Sequence, residues 1–365
     1  EDENQVYVAA TLLPEGKDPG SFTLSTTIVK EVTTQKNAVL IGDPSLDSRF
    51  SGKESIIRSA LKSAMAVPLF DEKDVLGILY IDTTNPLHQF NDDYLRLLAT
   101  FGNIIAARLA NNSLLQERQE KEVLEAELKR AALIQSTLLA SEAPLVPGYQ
   151  VHAFLEPSRQ VGGDLYDMTL LDDGSLLFLV ADVCGKGMGA ALLMSNILAS
   201  FRILYHTREF DLLHAVELAS QQLCRYSRSG DFATLFIGVL DPGKNEIRYV
   251  NAGHNAPLLV RQQGQIEYLE ASGTMIGAFD FVEWREERQM LEAGDLLFIY
   301  TDGVTEAETA SGEMYSDERT EQTVTANRQL APAALAELLV QDVRRFVGDA
   351  PSSDDITMLI LKRDN

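Results

Sequence analysis

Two hydrophobic rhythms divide the chain. In the first ~110 residues, short β-prone runs alternate with helical spacing: QVYVAATLLPE, NAVLIGD, SAMAVPLF and DVLGILYIDT read as strands. The last two flank the charged DEKD and predict a hairpin. FNDDYLRLLATFGNIIAARLANN places Leu95, Leu98, Phe101, Ile105 and Leu109 near one face, an amphipathic helix with Asn91 or Asp92 as its cap. From Tyr149 the texture becomes strands between glycine-bounded turns: VHAFLEP, DLYDMTLL, SLLFLVADV, ATLFIGVLD, EIRYVNAG, APLLVRQ, QIEYLEA, DLLFIYTDG and DITMLILK. GAALLMSNILASFRILYH, DLLHAVELASQQLCRYS and APAALAELLVQDVRRFV carry helical spacing. Many strands with few helices predict an α+β chain ending in a stacked antiparallel sandwich, rather than regular βαβ winding.

Between the two textures the first helix does not stop. Residues 111–139 contain no Gly or Pro, and Leu124, Leu128, Ala131, Gln135 and Leu138 step by four and three, a short heptad seam. QERQEKE interrupts it, so the stretch is either a solvated single helix or a weak dimeric coiled coil. Pro144 and Pro147 cannot continue a helix. The expected organisation is an N-terminal domain over 1–112, a helical connector over 113–143 and a third unit over 144–365.

Charge and cysteine content narrow the function. A net charge of −23 argues against general nucleic-acid binding and against anionic membrane surfaces. No uninterrupted apolar run suggests a bilayer span, and EDENQVYV is not a signal peptide. Cys184 and Cys224 are too few for a disulfide framework, so the expected setting is the reducing cytoplasm.

Against this background one pattern recurs. VGGDLYD (161–167), ADVCGKG (181–187), IYTDGVTE (299–306) and SSDDITMLIL (352–361) each set an aspartate at the edge of an apolar run. A single such aspartate is usually a turn or cap residue. Asp164, Asp182, Asp302 and Asp354 together, at strand ends of one sandwich, can converge on one cleft. Uncompensated carboxylates there would raise one another's pKa values, whereas two divalent cations would neutralise them. An all-oxygen donor set favours Mg or Mn over zinc. Metal-held water needs no serine or cysteine nucleophile, and the chain has no GxSxG, Cys-based phosphate loop or Walker sequence. The glycines of CGKGMG read as flexibility beside Asp182.

In this order, VGGDLYD, ADVCGKGMGAALLM, YVNAGHNAPLLV, LLFIYTDGVTEA and SSDDITMLIL resemble the sporulation-type bacterial phosphatases of the protein phosphatase 2C superfamily. RAALIQSTLL resembles their lead-in helix, with LLA where LLP is usual, and the resemblance covers roughly 128–365. It implies an α-β-β-α sandwich and a site for two Mn2+ or Mg2+ ions. By motif position Asp164 would ligate one ion, Asp182 would bridge both, the Val183 carbonyl would add an oxygen, and Asp302 and Asp354 would complete the other ion's shell. Asp167 and Asp355 read as strand-end residues behind those ligands. Arg159 lies near the superfamily's phosphate-binding arginine and is the substrate-binding candidate, with an exposed surface arginine as the alternative. His254 suits local structure, and His88, His152, His206 and His214 form no ligand pair.

SIIRSALKSAMAVPLFDEKDVLGILYIDT and FNDDYLRLLATFGNIIAARLAN resemble a GAF sensory domain over about 1–112, without its usual opening helix. The implied protein is a phosphoserine or phosphothreonine phosphatase in partner-switching control of sigma factors, acting on an anti-sigma-factor antagonist. The GAF domain would bind a small ligand or serve dimerisation, with a homodimer through that domain and the connector. A catalytically inactive phosphoprotein-binding scaffold and a small-phosphoester hydrolase are the alternatives.

Overall fold

The structure, a computed structural model, describes residues 8–13, 26–43, 61–71, 74–139, 142–205, 210–279 and 281–365. The chain divides into two compact units, Glu1–Leu124 and Glu125–Asn365.

In the first unit, helix α1 (Thr26–Gln35) lies against an antiparallel sheet ordered β1 (Val39–Ile41), β2 (Ser63–Phe70), β3 (Val75–Thr83). Ile28 and Val32 of the helix meet Val39, Ile41, Ala64 and Ala66 in one buried cluster. The hairpin expected around DEKD is β2–β3. Pro68 sits beyond the stretch of β2 that β1 pairs, Ala64 to Ala66, so its missing N–H interrupts no ladder on that side. Met65 and Val67 point to the other face, where Leu98 of helix α2 (Asp92–Leu138) covers them. A β-carbon at Gly102 would lie 3.0 Å from the Val67 side chain, so this glycine sets how closely helix and strand approach. The stretch QVYVAATLLPE forms no strand over its described residues, 8–13.

The second unit is a four-layer sandwich. One five-stranded sheet runs β10 (Ile266–Tyr268), β9 (Leu258–Val260), β12 (Leu296–Tyr300), β13 (Ile356–Arg363), β4 (Tyr149–Glu156). The other runs β11 (Glu287–Met290), β8 (Glu246–Ala252), β7 (Ala233–Asp241), β6 (Leu176–Val183), β5 (Leu165–Leu170). All strand pairs in both are antiparallel.

Strand β6 shows why its sequence is apolar throughout. Leu176, Phe178 and Val180 join the cluster between the sheets, whereas Leu177, Leu179 and Ala181 face helices α3 (Met188–Tyr205) and α4 (Leu212–Tyr226). With both faces covered, the usual polar alternation is lost. Gly238 makes room between the sheets: a β-carbon there would stand 2.6 Å from the Phe178 ring. The opposite outer face packs against α6 (Asp317–Ala326) and α7 (Pro332–Val347), after the short turn α5 (Asp302–Thr305).

Helix α3 is, by length and composition, apolar enough to cross a membrane, contrary to the expectation that no such segment exists. Its Met194, Ile197, Leu198 and Phe201 are buried under the sheet, the position of a core helix. The connector also departs from expectation. Helix α2 is continuous from Asp92 to Leu138, but the lower part of its heptad seam is used within the chain. Leu138 packs against the α3–α4 core, and Gln135 clamps Gly162: Gln135 Nε2 donates to the Gly162 carbonyl at 2.7 Å, and Gln135 Oε1 accepts from Gly162 N at 3.1 Å.

Candidate metal centre

Antiparallel pairing brings the acidic strand ends together. Asp164 immediately precedes β5, and Asp182 is the penultimate residue of the neighbouring β6. From the facing sheet, β12 ends at Tyr300 and delivers Thr301 and Asp302, while β13 begins at Ile356 just after Asp354 and Asp355. Strands β12 and β13 pair Tyr300 with Met358, which places these two chain ends side by side.

Asp164 joins the two sheets. Its Oδ2 accepts from Thr301 Oγ1 at 2.8 Å and from Thr357 Oγ1 at 2.5 Å, and the carboxylate is almost fully buried. Thr301 Oγ1 in turn accepts the backbone N–H of Thr357 at 3.1 Å. Each hydroxyl can donate once and still accept, so both threonines are committed to aiming one carboxylate.

Glycine lets the backbone close around this point. A β-carbon at Gly163 would stand 2.7 Å from the Val183 carbonyl oxygen, and one at Gly303 would stand 1.9 Å from the Asp355 carbonyl oxygen. Asp355 accepts from Ser158 N at 2.7 Å, Ser158 Oγ at 3.0 Å and Gly163 N at 2.9 Å. It fastens the loop carrying Asp164, the supporting role expected of it. Asp167 faces away from the centre and takes a two-bond ion pair from Arg202, both contacts at 2.8 Å.

The electrostatics are those of crowded carboxylates. Burial, then Asp182, pushes Asp164 well above the ordinary carboxylate range, against the lowering effect of its two threonine donors. Burial also raises Asp182, with Asp354 and Asp355 adding to the rise. Asp302 is pushed up to about 6 by burial, with Asp182, Glu306 and Asp354 contributing. Among the described residues, no three acidic, histidine or cysteine side chains already close on a single point. Asp164 is held by the threonines, and Asp354 is turned to Lys186, whose Nζ lies 2.7 Å from its Oδ2.

The remaining candidates fall as follows. Arg159 is exposed, and its Nη1 comes within 4.0 Å of where a β-carbon on Gly187 would be, so it reaches the loop after Asp182. His254 is buried, with Nδ1 2.8 Å from Thr234 Oγ1, and burial lowers its pKa to about 4. It is therefore neutral near pH 7. Thr234 is the cross-strand partner of Asp182. His88 lies in the loop before α2, His152 on β4 and His214 on α4, and His206 lies outside the described residues. Sequence reasoning overlooked Thr301, Thr357 and Lys186. The motifs TDG and DIT did place each threonine close to an acidic residue, a signal that was available.

Comparison with known proteins decides the family. Residues 172–364 match stage II sporulation protein E (SpoIIE). The chain belongs to that family. Residues 3–109 match the GAF domain. Protein IcfG of Synechocystis is 29% identical over 265 residues, covering 65% of this chain and 41% of its own length. Phosphoserine phosphatase RsbU of Bacillus subtilis is 29% identical over 243 residues, covering 66% of this chain and 71% of its own. The chain thus spans less than half of IcfG and about seven tenths of RsbU. Among solved structures, the SiaA-PP2C domain of Pseudomonas aeruginosa superposes with a TM-score of 0.60 at 19% identity, over 67% of this chain and 99% of that one. The sandwich is a PP2C-type fold, as the motif order implied.

Proposed function

We propose that the chain is a metal-dependent phosphoprotein phosphatase of bacterial signalling, hydrolysing phosphoserine or phosphothreonine on a partner protein under control of its GAF domain. The observation that carries this reading is the convergence of Asp164, Asp182 and Asp302 from two facing sheets, each with its pKa raised by burial and by neighbouring carboxylates. Crowding carboxylates is costly in a folded protein unless positive charge balances them.

The residues present fit divalent cations. The donors are all oxygens, which suits Mg or Mn, and Gly163 permits close approach to the Val183 carbonyl. Asp164, Asp182, the Val183 carbonyl, Asp302 and Asp354 are the residues that would hold two Mn2+ or Mg2+ ions. Such ions supply positive charge beside the phosphoryl oxygens and a water acidified enough to attack phosphorus.

The chain's own contribution is placement. Thr301 and Thr357 fix the Asp164 carboxylate, Asp355 fixes the loop in front of it, and neutral His254 hydrogen-bonds Thr234. Arg159, beside the Gly187 loop, is positioned to meet the substrate phosphate at the rim.

The name of RsbU, a phosphoserine phosphatase, supports a phosphoprotein substrate, and the motif resemblance supports one of the anti-sigma-factor antagonist type. A small ligand of the GAF domain, or a homodimer through that domain and helix α2, would provide regulation. Leu109, Leu114, Leu115, Val123 and Leu124 leave apolar side chains exposed along that helix. Two free cysteines suit the cytoplasm. The test is phosphate release from a phosphoserine-bearing antagonist protein, with manganese and with chelator. Metal-dependent release supports the reading, and binding without release indicates an inactive scaffold.

A further inference from the structure

The salt bridges of the described residues give the four aspartates one cationic partner, Lys186. Its Nζ lies 2.7 Å from Asp354 Oδ2 and donates to the Ser353 carbonyl at 2.6 Å. The contact joins the loop after β6 to the segment before β13, across the mouth of the acidic cluster.

The loop that carries Lys186 is short and glycine-flanked. Gly185 and Gly187 flank it at φ 89° and 79°, a region that side chains rarely adopt. A β-carbon at Gly185 would meet nothing within 4 Å, so the middle of the loop is not packed, while Cys184 N–H donates to the Phe232 carbonyl at 3.0 Å and anchors its start. The lysine and Asp354 are both partly exposed, at 41% and 32%, where an ion pair holds only weakly.

We propose that Lys186 is the resident counter-ion of Asp354, and that it and a divalent cation compete for that one carboxylate. The proposal rests on the reading of Asp354 as a metal ligand. An ammonium and a metal ion cannot both take Asp354 Oδ2 at contact distance, because the two positive charges would repel across a few ångströms. Ion binding at Asp354 therefore releases Lys186 from the segment before β13, whereas loss of the ion lets the contact form again. The acidic centre is in this way coupled to the shape of its own rim, beside Arg159.

The test is calorimetric titration of manganese into the chelator-treated full chain and three variants: Lys186→Met, Asp354→Asn and the double variant. Asp354→Asn weakens manganese binding. Lys186→Met tightens it about two- to fivefold, the range expected for losing a partly exposed competing ion pair. In the Asp354→Asn background the lysine substitution has no effect, because the contested carboxylate is gone. Equal tightening in both backgrounds would mean general repulsion and overturn the proposal, as would no tightening in the wild-type background. If Asp354→Asn itself leaves manganese affinity unchanged, Asp354 is not a ligand and the underlying reading fails first. A second readout needs no variant. Labelling of Lys186 by an amine-reactive ester, followed by mass spectrometry, rises on adding magnesium, and unchanged labelling contradicts the release.

Discussion

Oδ2 of Asp355 accepts the backbone N–H of Gly163 at 2.9 Å, tying the start of β13 to the residue just before Asp164. With the two Ser158 donors, this one carboxylate organises the whole loop that presents Asp164. Asp355→Asn keeps the shape but turns an amide donor toward N–H groups. It is expected to cost ~1–3 kcal/mol of stability and to lower turnover through displacement of Asp164. Gly162→Ala is expected to give the same pair of defects, since its β-carbon would fall 2.0 Å from Asp355 Oδ2. Thermal melts beside phosphate-release rates check both, and a stable, fully active Gly162→Ala protein would show that the loop is not so constrained.

Asp167 provides the contrast. It is buried against Arg202 and points away from the acidic centre, so Asp167→Asn is expected to destabilise by ~1.5–3 kcal/mol, the range for hydrogen bonds to a charged group. Manganese affinity should be unchanged. Calorimetry that finds a weakened manganese site in this variant would place Asp167 among the ligands.

The crowding of the acidic centre gives a pH dependence with a definite sign. Asp302 titrates at about 6 in the fold, above the ordinary carboxylate value of 3.8. The folded state therefore binds more protons than the unfolded state between these values. This contribution to stability is fully present below 3.8 and is lost as pH rises through 6. In metal-free protein, the stability of wild type relative to Asp302→Asn should fall as pH rises over that window. Saturating manganese should flatten the difference, because the ion holds the carboxylate ionised. Denaturant melts at several pH values measure it, and a difference that rises with pH would refute the assignment.

Metal should stabilise the fold by RT ln(1 + [L]/Kd), ~2.7 kcal/mol at a hundredfold excess over Kd. Asp182→Asn should raise the melting temperature of the metal-free protein slightly, since it removes repulsion with Asp354 and Asp355. The same change should shrink the rise produced by manganese. Parallel manganese titrations for wild type and variant would remove Asp182 from the site.

Much of this site was legible in the sequence, for a physical reason. A strand must be apolar where both faces are buried, so an aspartate at its edge stands out, and Asp164, Asp182, Asp302 and Asp354 were singled out as candidates that way. Strand β11 was missed because EERQ carries no apolar alternation on the sheet edge where it pairs with β8. Helix α6, DERTEQTVTA, was missed because only Thr320 and Val324 are buried, too few for a stripe. The threonines that aim Asp164 lie 137 and 193 residues away in the chain, so local pattern could not reveal the pairing. The same holds for Lys186 and Asp354. The heptad seam was visible, but its partner was partly the chain's own core: Leu138 packs there and Gln135 holds Gly162.

The central claim is that the converging aspartates form a metal-dependent phosphatase centre. Its most direct test is hydrolysis of a phosphoserine protein by the same preparation before chelation, after chelation and after manganese is restored, with Asp182→Asn alongside. The account predicts activity that disappears with the metal, returns with manganese and stays lower by orders of magnitude in the variant. Full turnover in the chelated wild type, or wild-type rates from a folded Asp182→Asn protein, would contradict it.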